Sequence, residues 1–214
     1  ITEHTPELTF IHFDDIDETG HANGWGSEKY YEAISLVDHE IGLLTDAYES
    51  AGILNDTLIL VISDHGGQSA GHGFTNQKNI EIPWIATGPG VKEDYVFSSY
   101  LRNMDTPATA LYALGIEQPS LWMGRAATEA WTGVPVQAPS APKTALVSSV
   151  VSVVISGLNS IGYRLAPTPV MDSLVNSGAF AEFARAQMPS TTLTNIARYY
   201  FFFEYWFAHS ALVS

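Results

Sequence analysis

The chain has 214 residues, 46% of them apolar and 12% aromatic, enough for one domain with a sizeable core and too apolar for a disordered polymer. Nine Lys and Arg against 23 Asp and Glu leave a formal charge of −14; such a field gathers cations and repels phosphate backbones, so no nucleic-acid groove is expected. Cysteine is absent, which excludes disulfides and thiolate metal sites and leaves the compartment open. Along the chain, Leu8–Phe13 (LTFIHF) is a short apolar run ending in carboxylates, as strands of parallel sheets do. Residues 27–51 follow helical spacing, with Tyr31, Ile34, Val37, Ile41, Leu44 and Tyr48 on one face, Ser27 as N-cap and Gly52 as stop. Thr57–Ser63 (TLILVIS) is a second buried strand, and 80–87 a third, closed by the turn Gly88-Pro89-Gly90. Asp105-Thr106-Pro107 announces a helix running to Leu114, with Asp105 as its cap. Strand, helix, strand predicts a right-handed parallel crossover with the first two strands as neighbours.

The two halves differ. Residues 1–142 hold 20 acidic and 5 basic side chains, and residues 143–214 hold 3 and 4; six of the seven histidines lie at or before His72. The proline-rich stretch 134–142 reads as a linker, dividing the chain into 1–133 and an unassigned apolar segment, 143–214. Within that segment 144–163 is free of charge and of membrane-spanning length, yet its serines dilute it and its valines favour strand as much as helix. Membrane association through 144–163 is therefore one expectation for it. The run 199–207 (YYFFFEYWF) reads as an interface or a buried strand.

Chemistry concentrates at the ends of the first two strands. Asp17 and His21 lie four apart in an acidic cluster with Gly20 between them, and Asp64-His65-Gly66-Gly67 follows the second strand directly, with His72 soon after. Carboxylate and imidazole together suit zinc or manganese better than calcium or magnesium, which prefer oxygen-only shells. The flanking glycines are expected to let the backbone turn tightly. His4, His12 and His39 read as terminal, strand and surface histidines, and Asn76 and Lys78 as loop residues.

This ordered set resembles the alkaline phosphatase superfamily, most closely its type I phosphodiesterase and nucleotide pyrophosphatase branch. The resemblance covers residues 8–126 and is carried by Asp-x3-His at 17 and 21, Ile62-Ser63-Asp64-His65-Gly66, Ile82-Pro83-Trp84-Ile85, Gly88-Pro89-Gly90-Val91 and Asp105-Thr106-Pro107-Ala108-Thr109. It implies an α/β, parallel-sheet fold and a two-metal hydrolase of phosphate esters or phosphodiesters, outside the cytoplasm, with a phosphoethanolamine transferase, a sulfatase or a non-catalytic remnant as alternatives. By position, Asp17, His21 and His72 would hold one of two divalent ions, zinc before manganese, and Asp64 and His65 the other. The family also has a strand whose Asp binds the second metal, then a Thr or Ser nucleophile opening a helix, both ahead of the Asp-x3-His motif. Only seven residues precede Leu8, so the resemblance implies the C-terminal part of a catalytic domain, with the nucleophile upstream and this chain inactive alone.

Overall fold

The computed structural model describes residues 5–134 and 144–196; the run 199–207 and nearly all of the expected linker lie outside them. In chain order the elements are β1 (Leu8–Phe13), α1 (Asp15–Asn23), α2 (Glu28–Ser50), β2 (Thr57–Ser63), α3 (Gln77–Ile80), β3 (Glu81–Thr87), β4 (Tyr95–Val96) and α4 (Asp105–Ala113). After the linker come β5 (Ser149–Ile155), α5 (Ser160–Leu165), α6 (Pro169–Asn176) and β6 (Ala179–Arg185).

Local signals set β1, α2, β2 and β3 where the spacing predicts them, while α1, α3 and β4 form where no element is expected. The Ser27 hydroxyl accepts the Tyr30 N–H at 3.2 Å and starts α2, and Gly52, at φ 72°, ends the segment. The buried stripe of α2 contains Ile34, Val37, Ile41 and Tyr48, with Tyr30 in place of the half-buried Tyr31. Asp105 does not cap α4 in the expected way. It is the first helical residue, and its carboxylate accepts the backbone N–H groups of Arg102 at 2.8 Å and Arg125 at 2.9 Å and pairs with the Arg102 guanidinium.

The sheet order is β1-β5-β2-β3-β6-β4. β1, β5 and β2 run parallel, β3 is antiparallel to both β2 and β6, and β4 runs parallel to β6. β1 and β2 are thus parallel but not neighbours, because β5 lies between them, pairing Leu8 with Val150 and Thr57 with Ser149. Nor does the second half pack apart from the sheet, since β5 and β6 are two of its strands. The physical reason lies in β5 itself. Its sequence SVVSVVI is buried at every position, and only an uncharged, β-branched run satisfies a strand covered on both faces. The stretch 144–163 is therefore spent on this strand and the start of α5, and among the described residues no helix is long and apolar enough to cross a membrane.

Side chains alternate across the sheet and feed two cores. Ile59, Val61, Val151, Val153 and Ile155 pack with α2 and Met171 of α6, while Leu58, Leu60, Ile62, Val150 and Val154 pack with α4 and Trp131. One buried acid ties the halves together. Asp38, on α2, accepts the N–H groups of Val170 at 3.0 Å and Met171 at 2.7 Å, and so caps α6 from another element. Asp38→Ala leaves both donors without that acceptor. The expected loss is about 1–2 kcal/mol of unfolding free energy by urea titration.

Candidate active site

The carboxyl ends of the three parallel strands lie abreast, since Phe13 and Ser63 both pair with Ile155. The residues that follow, Asp14 onward, Asp64-His65 and Ser156-Gly157, therefore arrive at one place, the position where open α/β sheets carry their working groups. α1 starts directly after β1 and puts Asp17 and His21 on one face, with His21 Nε2 3.5 Å from Asp17 Oδ2. The loop after β2 brings in the rest. His65 Nε2 lies 3.9 Å and His72 Nε2 3.8 Å from Asp17 Oδ1, and the His65 and His72 rings stack at 3.9 Å. Asp64 Oδ2 is 3.4 Å from His65 Nε2. All five residues singled out in the sequence are thus brought together.

Each imidazole is held in one orientation by a backbone carbonyl. Nδ1 of His21 meets Ala70 O at 3.0 Å, Nδ1 of His65 meets Gly66 O at 2.9 Å, and Nδ1 of His72 meets Ser190 O at 3.1 Å. A carbonyl only accepts, so each Nδ1 carries the proton and each Nε2 presents a lone pair to the centre. This is the outer contact that fixes metal-binding histidines. Burial, with His72 beside it, pushes His65 down to about 4, favouring the neutral, ligating form. Burial also pushes Asp64 up to about 6, against hydrogen bonds from Gly157, His65 and Ser156. The donor set fits a divalent cation. Asp17, His65 and His72 offer three ligand atoms within 4.8 Å of one another, and Asp17 Oδ1 is buried without a hydrogen-bond partner.

The glycines serve the site by being small more than by turning. A Cβ on Gly20 would stand 2.6 Å, and one on Gly67 2.2 Å, from Cε2 of Trp25. The indole slots between them, meets His21 edge-on at 5.1 Å, and donates its Nε1–H to Gly157 O at 2.9 Å. Gly157 does need backbone freedom, with φ 80° and a Cβ position 2.9 Å from Asp17 Cα.

Three further residues belong to the site and come from the second half. Ser156, at the end of β5, donates its hydroxyl to Asp64 Oδ2 at 3.1 Å. Asn159 caps α5 through Gly162 N–H and donates to the carbonyls of Gly67 and Lys78, pinning the loop after β2. Thr192 opens the helical residues 192–196, and its Oγ1 lies 2.8 Å from His65 Nε2 and 3.4 Å from Ser156 Oγ. Because His65 Nδ1 holds the ring proton, Thr192 is the donor in that bond. The resemblance implies a strand ending in a metal-binding Asp and then a Thr or Ser nucleophile opening a helix, both ahead of Leu8. Here the residue after β5 is Ser156 and the hydroxyl beside His65 is Thr192, seven residues beyond β6, both after the histidine motifs in the chain. The signals were the uncharged run ending in Ser156-Gly157 and the hydroxyl cluster Ser190-Thr191-Thr192.

Residues 2–91 match the family described as type I phosphodiesterase / nucleotide pyrophosphatase. Among curated proteins, the chain is 31% identical over 107 residues to the ectonucleotide pyrophosphatase/phosphodiesterase family member 1 of Rattus norvegicus, covering 49% of this chain and 11% of that protein. It is 25% identical over 134 residues to the GPI ethanolamine phosphate transferase 1 of Saccharomyces cerevisiae, covering 54% and 15%. It is also 27% identical over 104 residues to a putative extracellular sulfatase Sulf-1 homolog of Caenorhabditis elegans, covering 46% and 15%. The matched stretch thus spans less than a fifth of each of these relatives. No solved structure matches significantly.

Proposed function

We propose that the chain carries a divalent-metal-dependent centre for phosphoester chemistry, with Thr192 as nucleophile; the match of residues 2–91 to the type I phosphodiesterase / nucleotide pyrophosphatase family supports this reading. The observation that carries this reading is the Thr192 hydroxyl, 2.8 Å from His65 Nε2 at the convergence of Asp17, His21 and His72. The expectation of an inactive chain rests on a missing nucleophile, and Thr192 fills that place.

Asp17, His65 and His72, with His21 beside them, would hold the ion, and three imidazoles with one carboxylate favour zinc over manganese. A bound ion of this kind polarises a phosphoryl oxygen and lowers the pKa of a nearby hydroxyl. The residues of the chain supply the geometry. With the single Nε2 lone pair of His65 given to the ion, Ser156, 3.4 Å away, holds Thr192 Oγ1 on one side of the centre, from where it attacks phosphorus opposite the ester oxygen that leaves. The Thr192 O–P bond forms as the ester P–O bond breaks, and the hydroxyl proton ends on the departing alcohol. Water then releases phosphate in a hydrolase, or a second alcohol accepts the group in a transferase. The substrate is a phosphate monoester or a phosphodiester, and the setting extracytoplasmic, as the name of the extracellular sulfatase relative suggests.

The test is a panel of p-nitrophenyl phosphate, the p-nitrophenyl ester of thymidine 5′-monophosphate and p-nitrophenyl sulfate, assayed with the zinc-loaded chain. Turnover of at least one phosphate ester, abolished by chelation and restored by zinc, is the expected result. Turnover of the sulfate alone assigns a sulfatase, and inertness toward all three refutes the reading.

A further inference from the structure

The family resemblance pairs Asp64 with His65 on a second ion. In the structure His65 Nε2 lies between two carboxylates, 3.4 Å from Asp64 Oδ2 and 3.9 Å from Asp17 Oδ1. Among the described residues, however, it belongs to a group of three donors with Asp17 and His72, on whose ring it stacks. The spacings to Asp17 run from 3.5 Å for His21 to 3.9 Å for His65. Ligand atoms bonded at 2.0–2.1 Å to one tetrahedral zinc stand about 3.3 Å apart, so Asp17, His65 and His72, whose ligand atoms lie within 4.8 Å of one another, can close on one ion, with His21 beside the other Asp17 oxygen as a fourth donor.

Asp64 has a different set of partners. Its Oδ1 accepts the backbone N–H groups of His65 at 2.7 Å and Gly157 at 3.2 Å, and its Oδ2 accepts the Ser156 hydroxyl at 3.1 Å. The side chain is fully buried and anchored to both β2 and β5. Of the described side chains, those in contact with it besides His65 offer only the neutral hydroxyl of Ser156, with Thr192 one step further at 3.4 Å from Ser156. A lone carboxylate with hydroxyls is a poor shell for zinc, which takes its ligands from thiolate, imidazole and carboxylate. Ser156 is neutral where a second ion needs charge.

We infer that this chain holds a single divalent ion, on Asp17, His65 and His72 with His21 completing the shell. Ser156, hydrogen-bonded to Asp64, occupies the second position with a hydroxyl. Asp64 is then a positioning residue that fixes Ser156 and the β2 and β5 termini. This inference rests on the metal reading proposed above and departs from the two-ion expectation.

The experiment is a metal count by inductively coupled plasma mass spectrometry. The full chain is equilibrated with excess zinc and desalted, with circular dichroism confirming that each variant is folded. One zinc per chain is expected for the wild type and for Asp64→Asn, and less than about 0.2 for His72→Ala. Ser156→Asp is expected to raise the count to two by adding the missing carboxylate. Two ions on the wild type, loss of the ion in Asp64→Asn, or a count held at one in Ser156→Asp each overturns the single-ion inference and leaves the metal reading standing. No bound zinc on the folded wild type overturns the metal reading itself. The wild-type count depends on no variant being able to fold.

Discussion

Thr192→Ala is expected to reduce turnover of the best phosphate ester by about 10⁴-fold or more, the scale on which removal of a covalent nucleophile acts. Thr192→Ser keeps the hydroxyl and is expected to retain measurable activity. The threonine methyl is not what contacts His65; the oxygen is, at 2.8 Å. Zinc content measured alongside kcat/KM separates the two roles of the region, since Thr192 lies outside the proposed ligand shell and the variant is expected to stay loaded. A Thr192→Ala chain that turns over at the wild-type rate would place the nucleophile elsewhere.

The second large effect is structural. A chain ending at residue 143 lacks β5, whose Val150, Val151, Val153, Val154 and Ile155 are all fully buried between β1 and β2. Burial of a Val or Ile side chain stabilises by about 1.5–3 kcal/mol, so five of them represent roughly 7–15 kcal/mol as an upper estimate. That equals the whole stability of an ordinary domain, about 5–15 kcal/mol. The shortened chain is therefore expected to show no cooperative unfolding transition in urea and no near-ultraviolet circular dichroism. A sharp transition close to that of the longer chain would mean that the first half closes its own sheet.

What could be read from the sequence was local. Ser27, the α2 stripe and Gly52 act within a few residues of one another, so periodicity and capping chemistry located that helix to within one residue at each end. β2 was equally plain, because the five apolar residues 58–62, between Thr57 and Ser63, run straight into Asp64-His65-Gly66. The histidine and carboxylate clusters were visible for the same reason: each sits directly after a strand or in the next loop. The position of β5 was not visible. A run of valines reads as strand or helix alike, and its choice is made by Leu8 and Thr57, far away in the chain. Adjacent pairing of β1 and β2 was the sound expectation for a short crossover, and an inserted strand from the distant second half defeats it. Ser156 and Thr192 went unrecognised because the family order places such residues first. Gly20 and Gly67 were identified as important but for another reason, since their partner is the Trp25 ring and not a turn.

The place of β5 also governs how the polypeptide comes to be folded as it is made. Leu8 must wait for Val150 and Thr57 for Ser149 before either strand gains its inner partner. As the chain leaves the ribosome, β1 and β2 therefore emerge with open backbone edges, and these persist until β5 arrives. Contacts of such long sequence separation slow folding, and unpaired strand edges are where chains associate wrongly. The acidic side chains concentrated in residues 1–142 give the waiting segment a like-charge repulsion between copies. The excess of carboxylates that draws cations to the site thus also keeps nascent neighbours apart during the interval when the sheet is incomplete.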